Sequence, residues 1–237
     1  MTDSLVHLPS VSSTNDWLKA RGHEGAPHGL AVMAEVQTAG RGRLGRHWLS
    51  NPGNLHLSVL LRPQMPFNRA PMLCLAAAVA IVDSCGALTG IKWPNDVLAD
   101  NGKKVAGVLA EVEGGVPGVD FVVVGIGVNV LQAPDPSTGV LNATSLLDLD
   151  GVKRDPAELA ARIRQNLLSE CEILGGSVKQ LLARWRERNV TLGREVRIGD
   201  IEGIAEDIDE SGSLLVRRSD GQIHRVISGD VGFVPSP

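Results

Sequence analysis

The sequence predicts an α+β protein in which a mixed sheet packs with helices and is followed by a small β module. The β-branched segments 30–37 and 55–62 predict strands, and the alanine-rich apolar segment 71–88 predicts a buried helix. After Gly193 the pattern changes to short strands between glycine and aspartate turns. With 237 residues, the chain is long enough for one large domain or two unequal ones.

The first helix is predicted directly after Ser13. Asp16 lies three residues beyond this serine, a spacing typical of a helix N-cap. A short helix through 17–19 therefore leaves Ser13 and Thr14 in the loop that precedes it.

The middle of the chain continues the sheet. After an extended segment at 91–93, strands are predicted at 104–112 and 119–130, separated by a turn at 113–115. The segment 134–151 is predicted to be a loop.

Two helices and the β module follow. Asp155 caps a helix whose first residue is Pro156, and a second helix reaches about Asn189. Short strands are then predicted at 195–198, 203–208, 213–217 and 222–227. The change of pattern divides the chain into a domain at 1–190 and a second at 191–237.

Composition predicts a soluble, cytoplasmic protein. The apolar run 73–82 is too short to span a bilayer, and the first ten residues lack a basic region followed by an apolar one. Cys74, Cys85 and Cys171 form no C-x-x-C pair and are predicted to be buried thiols. The net charge of −4 argues against nucleic acid as a partner.

The segment GRGRLG, 40–45, has the glycine spacing of a dinucleotide-binding turn. The helix and the ribose-binding carboxylate that this turn requires do not follow it. A solvated surface loop is one alternative, and an anion-binding loop is another. The anion-binding interpretation fits better, because 36–82 contains five arginines and no acidic residue. Such a loop is predicted to be mobile when empty and ordered over an anionic ligand.

Two further clusters carry polar residues. Lys92-Trp93-Pro94-Asn95-Asp96 could be a strand end with a proline turn, or could hold a phosphoryl group and Mg²⁺ with a lysine from 103–104. Lys103 and Lys104 point to opposite faces of a strand, so only one of them can face a site. In GIGVNV, 125–130, the glycines fit a bulge or a close backbone approach, and Asn129 can hydrogen-bond the edge of a base.

Together these motifs resemble the ordered series of the biotin protein ligases. The matching segments are SSTN, AEVQTAGRGR, GRGRLGRHW, KWPNDV, KVAGVLAE and GIGVNV. The resemblance implies a catalytic domain similar to that of class II aminoacyl-tRNA synthetases, with helices on one side of a mixed sheet, and a terminal SH3-like barrel. Ser13 comes too early for the helix-turn-helix of the repressor members, so a repressor role is not expected.

The resemblance also implies a set of site residues. Ser13, Thr14 and Gln37 match positions that bind the ureido end of biotin, and Asn15 accompanies them. The remaining matched positions are Gly40, Arg41, Gly42, Arg43 and Arg46 in the loop, Trp48 and Asn129 on the adenine side, Lys104 at the reacting groups, and Gly107 and Gly127 in the strands.

Asp96 matches the carboxylate that is linked to magnesium and to the lysine. One extra residue before the lysine pair leaves Lys103 as an alternative to Lys104. Arg41, Arg43, Lys104 and Mg²⁺ would offset the repulsion between the biotin carboxylate and ATP.

The implied function is activation of biotin to biotinyl-5′-AMP and transfer to a lysine of a biotin carboxyl carrier protein. A lipoate or octanoate ligase, a biotin-binding transcriptional regulator and an inactive biotin-binding module are the alternatives. The arginine-glycine-glycine-glycine signature of lipoate ligases is absent, and the sequence leaves open whether the chain is a monomer or a homodimer.

Overall fold

A computed structural model describes residues 4–86, 88–115 and 118–234. Five α-helices are present in these ranges: α1 (Thr14–His23), α2 (Met72–Cys85), α3 (Leu146–Asp150), α4 (Pro156–Gly176) and α5 (Val178–Arg188). Seven strands form the larger sheet: β1 (Leu5–Val11), β2 (Ala31–Gln37), β3 (Leu55–Leu61), β4 (Thr89–Lys92), β5 (Asp96–Ala99), β6 (Lys104–Gly115) and β7 (Gly118–Val128). Five strands form the smaller sheet: β8 (Glu195–Ile198), β9 (Ile201–Ile208), β10 (Leu214–Arg217), β11 (Ile223–Val226) and β12 (Gly232–Phe233).

The larger sheet is mixed. Its strand order is β1-β2-β3-β7-β6-β5-β4, with β1 parallel to β2 and every other neighbouring pair antiparallel. The central strands β3, β7 and β6 pair over most of their length, which places the glycines of β6 and β7 side by side at Gly107 and Gly127.

Both faces of this sheet bury apolar side chains. One core lies under α2, α4 and α5 and takes Leu55, Leu57 and Val59 from alternate positions of β3. Leu60, the residue after Val59, points to the opposite face and belongs to a second core, to which α1 contributes Leu18. The period of two in a strand explains this division. The expectation of helices on one side only is therefore wrong, because α1 covers the other face.

Helix α2 is the centre of the larger core. All of its residues except Cys74 and Asp83 are buried. The stretch 67–85 is the one segment of the described ranges that is long and apolar enough for a membrane span, and burial against the sheet and α4 identifies it as a core helix.

The predicted helices and most predicted strands are confirmed, with bounds shifted by a few residues. The turn predicted at 113–115 is wrong, since these residues continue β6 and pair with β7 across an irregularity at Glu113 and Gly114. The loop predicted at 134–151 contains α3, whose capping box joins Ser145 and Asp148. Strands β1, β5 and β12 were not predicted.

The three cysteines are free thiols. Cys85 is buried, and Cys74 and Cys171 are partly buried. Burial raises the pKa of Cys85 and of Cys171 to about 12, so both stay protonated at neutral pH.

The smaller sheet packs against the end of the larger one. The Trp93 indole donates a hydrogen bond to the carbonyl oxygen of Gly212 at 2.9 Å, and the Trp93 amide donates to the Thr191 hydroxyl at 2.9 Å. Trp93 is 1% exposed. The KWPND segment therefore lies between the two sheets.

Candidate functional site

A cavity of about 330 Å³ lies between the glycine–arginine loop, residues 40–48, and the larger sheet on the side of α1. Thirteen of the predicted site residues line it: Ser13, Thr14, Asn15, Gln37, Arg41, Gly42, Arg43, Arg46, Trp48, Lys104, Gly107, Gly127 and Asn129. The two others lie behind this surface. Gly40 is buried against Trp48. Asp96 forms an ion pair with Lys104, which lines the cavity.

A polar cluster forms the part of the cavity next to α1. Gln37 Oε1 accepts hydrogen bonds from the amide and the hydroxyl of Thr14, both at 2.9 Å. Ser58, on the face of β3 that looks toward α1, lies 2.6 Å from Asn15 Oδ1 and 2.8 Å from Thr14 Oγ1. Ser13 caps the helix and turns its first residues into the cavity. This arrangement offers both donors and acceptors to a small polar ligand.

The backbone of Gln37 is held by Ser50, which in turn contacts the buried His56. The Ser50 hydroxyl accepts from the Gln37 amide at 2.7 Å and lies 3.1 Å from His56 Nε2. Burial lowers the pKa of His56, and its hydrogen bond to Ala34 only partly opposes this effect. His56 is thus neutral in the folded protein at neutral pH.

Carboxylates from outside the loop compensate its positive charge. Arg41 makes a bidentate contact with Asp16 at 2.5 and 2.7 Å and reaches Glu111 at 3.1 Å. The hydrogen bond to Asp16 raises the pKa of Arg41, and its partner's pKa is lowered by the same bond. Arg46 pairs with Asp230 of the smaller sheet domain at 3.0 Å. The segment 36–82 has no acidic residue of its own, but the fold brings carboxylates from outside it to these two arginines.

Arg43 connects the loop to the KWPND segment. Its Nη1 donates to Asn95 Oδ1 at 2.7 Å, and Asn95 Nδ2 donates to the carbonyl oxygen of Val108. The neighbouring Leu44 has φ +56° and is 75% exposed, so the tip of the loop points away from the cavity. One arginine on each side of Gly42 therefore holds the loop, Arg41 through Glu111 of β6 and Arg43 through Asn95.

Lys104 forms an ion pair with Asp96 at 2.6 Å. Its ammonium group also lies 5.7 Å from the centre of the Trp48 ring, within range of a cation–π contact. Lys103 is exposed, and it is not among the residues that line the cavity. The strand therefore directs Lys104, and not Lys103, toward the cavity.

Trp48 lies flat on the two facing glycines of β6 and β7. A Cβ at Gly127 would overlap the indole ring, and one at Gly107 would come within 3.2 Å of it. The glycines thus make the space that Trp48 fills, which is the close approach expected of glycine within a strand. Asn129 follows in the same strand region, is buried, and donates to the carbonyl oxygen of Thr144 at 3.1 Å.

A row of polar residues crosses the sheet beside this surface. Through the strand register, Lys92 faces Asp96, Asp96 faces Gly107, and Gly107 faces Gly127. Burial lowers the pKa of Lys92. Arg194 approaches from the smaller sheet domain, and its guanidinium lies 3.6 Å from the centre of the Phe233 ring that Lys92 also contacts.

Sequence reasoning missed Asp16 and Glu111, which pair with Arg41 of the cavity, and Arg194, which shares the Phe233 ring with Lys92. No signal at Arg194 connects it with a segment a hundred residues away. Glu111 ends the KVAGVLAE motif, so its place on the same strand as Gly107 could have indicated it, since residues two and four positions apart share a face.

The described residues contain no group of three histidine, cysteine or acidic side chains that could hold a metal ion. Asp96 contributes one carboxylate, already paired with Lys104. A magnesium ion commonly takes only one or two carboxylates when substrate phosphates supply further ligands. The donor set fits that kind of site and does not fit a metal held by protein alone.

Comparison with known proteins gives two family matches. Residues 7–129 match the biotin/lipoate A/B protein ligase family, and residues 191–234 match the biotin protein ligase C terminal domain. The chain is 41% identical to a biotin–[acetyl-CoA-carboxylase] ligase of Mycobacterium tuberculosis, over 94% of this chain and 86% of the relative. It is 36% identical to the bifunctional ligase/repressor BirA of Bacillus subtilis, over 98% and 74%.

A solved structure is similar over the whole chain. The biotin protein ligase of Aquifex aeolicus in complex with biotin and ATP has a TM-score of 0.81 and 31% identity, covering 99% of this chain and 100% of the other.

Proposed function

The chain belongs to the biotin/lipoate A/B protein ligase family and acts as a biotin ligase, and on that premise we propose how its cavity performs the reaction. Biotin binds with its ureido group in the polar cluster at Thr14 and Gln37. ATP lies beside it, with adenine near Trp48 and Asn129 and the α-phosphate near Lys104. The relatives are named for biotin, which favours biotin over lipoate as the substrate.

One observation supports this assignment above the others. Asn15 lies against Gly125 and Trp48 lies against Gly127, so the polar cluster and the aromatic surface are neighbours on one face of β7. Two ligands bound to these surfaces would meet below Arg43 and beside Lys104. Holding two reactants in contact is itself a large part of catalysis.

The first step joins the two anions. An oxygen of the biotin carboxylate attacks the α-phosphorus of ATP, the bond from that phosphorus to the β-phosphate oxygen breaks, and pyrophosphate leaves. Lys104 and Arg43 offset the negative charge that the reactants bring together. A well-placed donor in a site closed to water commonly contributes about 3 to 4 kcal/mol to such a transition state.

Asp96 would hold a magnesium ion together with the phosphates. When bound there, the ion would neutralise phosphate charge that Lys104 and Arg43 leave uncompensated. Asp96 also keeps the ammonium group of Lys104 in place through their ion pair.

The second step transfers biotin. A neutral lysine amine of a carboxyl carrier protein attacks the carbonyl carbon of the mixed anhydride. The new carbon–nitrogen bond becomes an amide as the nitrogen gives up a proton to solvent, and AMP leaves with the electron pair of the broken carbon–oxygen bond. The loop at 40–48 covers the anhydride until then and excludes water. We place this reaction in the cytoplasm, where carrier protein and ATP meet.

The decisive test is biotin-dependent exchange of pyrophosphate into ATP, run with biotin and lipoate in parallel. Exchange with biotin and none with lipoate is expected of the wild-type chain. Lys104→Ala should lower exchange by roughly a hundredfold or more, because a charged donor at the reacting phosphate is lost, while the melting temperature changes little. Lys103→Ala is the matched control and should retain exchange. Equal loss in both variants, or none in Lys104→Ala, would contradict the role of Lys104.

A further inference from the structure

Glu111 is a carboxylate outside the set of site residues that the motifs predict. It lies on β6 beside the cavity, and its side chain is 24% exposed. It accepts a hydrogen bond from Asn15 Nδ2 at 2.6 Å, from Lys19 Nζ at 3.1 Å and from Arg41 Nη2 at 3.1 Å. One carboxylate therefore contacts both the polar cluster and the glycine–arginine loop.

The contacts of Asn15 define which way its amide points. Nδ2 donates to Glu111 at 2.6 Å and lies 3.4 Å from the carbonyl oxygen of Leu109, while Oδ1 lies 2.6 Å from the Ser58 hydroxyl. An ionised carboxylate can only accept hydrogen bonds. Opposite Glu111 the amide must therefore present its nitrogen, and its oxygen must point the other way.

That oxygen lies beside Gly125 of β7. A Cβ at this glycine would overlap Asn15 Oδ1, so the amide lies flat against β7. Asn15 and Gly125 both line the cavity. Oδ1 has a second lone pair beyond the one that Ser58 uses, so it can accept from an N–H group of a ligand.

The charge on Glu111 is stable at neutral pH. Burial alone would raise the pKa of Glu111, but the hydrogen bonds from Asn15 and Lys19 and the charge of Arg41 outweigh burial and lower it. Asp16 is the other carboxylate of the cluster, and its side chain pairs with Arg41 and Lys19, whereas the Asn15 amide bonds Glu111.

We propose that Glu111 is a positioning residue for biotin, which fixes the amide of Asn15 with its oxygen toward an N–H of the ureido group and holds Arg41 at the edge of the same pocket. This inference rests on the function proposed above. It assigns to Glu111 an effect on biotin through Asn15, because within the described ranges Glu111 has no hydrogen bond to Lys104, Trp48 or Asn129 on the proposed ATP side.

Glu111→Gln is the first test. A glutamine can present either nitrogen or oxygen, so Asn15 is no longer held in one orientation, and the ion pair to Arg41 is lost. We expect the KM for biotin in the exchange assay to rise on the order of tenfold, as for loss of a hydrogen bond to a charged group. The KM for ATP should stay within about twofold of wild type.

Lys19→Met is the matched control. It removes another partner of the same carboxylate but leaves the contact between Glu111 and Asn15 intact. Its KM for biotin should therefore remain near the wild-type value. A rise equal to that of Glu111→Gln would show that the cluster acts only by stabilising the fold.

A donor and acceptor exchange tests the orientation itself. Asn15→Asp alone places two carboxylates opposite each other and should weaken biotin binding most. Combined with Glu111→Gln, it restores a donor opposite an acceptor and the charge of the cluster, so the double variant should recover most of the lost affinity, measured by calorimetry with biotin. A double variant no better than Asn15→Asp would overturn the proposal.

The outcomes separate this inference from the proposed function. Absence of biotin-dependent exchange in the wild-type chain would remove the function itself. Wild-type exchange with an unchanged biotin KM in Glu111→Gln would remove only the role of Glu111. If Glu111→Gln does not fold, as judged by circular dichroism, the comparison of Asn15→Asp with the double variant decides.

Discussion

The absence of one side chain at Gly127 sets the position of Trp48. The indole ring occupies the space where a Cβ would stand, and Gly107 on the neighbouring strand leaves room for the other side of the ring. Trp48 in turn lies beside the ammonium group of Lys104. The geometry of the proposed ATP side therefore depends on glycine, rather than a residue with a Cβ, at both of these positions.

Gly127→Ala should displace Trp48 and weaken ATP binding. Overpacking of this kind costs about 1 to 3 kcal/mol, so we expect a rise on the order of tenfold in the KM for ATP in the exchange assay. Biotin binding measured by calorimetry in the absence of ATP should change much less.

Gly115→Ala is the matched control for this substitution. It adds the same methyl group to the neighbouring strand β6, at a position with open space around the added Cβ. The KM for ATP and the affinity for biotin should therefore stay at their wild-type values. An unchanged KM for ATP in Gly127→Ala would contradict the proposed contact between Trp48 and the nucleotide.

At the residue scale, the sequence predicted most of the cavity lining because the lining residues belong to short contiguous motifs. Ion-pair partners could not be predicted in this way. Arg41 pairs with Asp16 and Glu111, which lie 25 and 70 positions away. Since a charged side chain can pair with any opposite charge that the fold brings near it, only the three-dimensional arrangement identifies the partner.

At the element scale, the glycine–arginine loop is fixed at its base. Arg41 and His47 pair across it, and the Trp48 amide donates to the carbonyl oxygen of Gly40 at 3.0 Å. Between them, Arg43 is the side chain that ties the loop to Asn95. The predicted mobility of this loop stays a prediction, and Arg43 is the contact through which closure can be tested.

Arg43→Gly should release biotinyl-5′-AMP before transfer. Without the contact to Asn95 and the positive charge over the anhydride, the loop covers its product less tightly. We expect free adenylate in the filtrate of the reaction and biotin on lysines of bystander proteins, both detected with labelled biotin. Filtrates without adenylate, at turnover comparable to wild type, would count against the loop as a cover.

The elements that sequence patterns missed are short or lie at edges. β1 is an edge strand that contains Pro9 and is half exposed, so it lacks the apolar alternation of a buried strand. β5 and β12 have four and two residues, and α3 has five. Such segments carry too few residues to show a period, and tertiary packing determines their structure. The predicted domain boundary at 190 also stays a prediction.

At the scale of the whole molecule, a buried histidine makes stability depend on pH. Burial lowers the pKa of His56 from the usual value of 6.5. The unfolded chain therefore binds more protons than the folded one just below that pH. The free energy of unfolding should be highest above about pH 6.5 and decrease as the pH falls further.

His56→Gln should reduce this dependence. Urea unfolding at about pH 7.5, 6.5 and 5.5 would measure it, in a range above the titration of the carboxylates, whose pKa values at Asp16 and Glu111 are lowered. The variant should show a smaller loss of stability between the two lower values than wild type does. An identical loss in both proteins would exclude His56 as a cause of the pH dependence of stability.

The contact between Trp93 and Gly212 limits how the two parts of this protein can evolve. Gly212 has φ +80°, and an added Cβ there would come within 3.0 Å of Leu75, so both the turn and its packing require glycine. The carbonyl oxygen of that turn receives the indole hydrogen of a segment that also carries Asp96. A terminal domain exchanged from another gene must bring the same turn, and a lineage that loses it must replace Trp93 as well. The two parts of the chain are therefore expected to co-evolve at this contact rather than recombine freely.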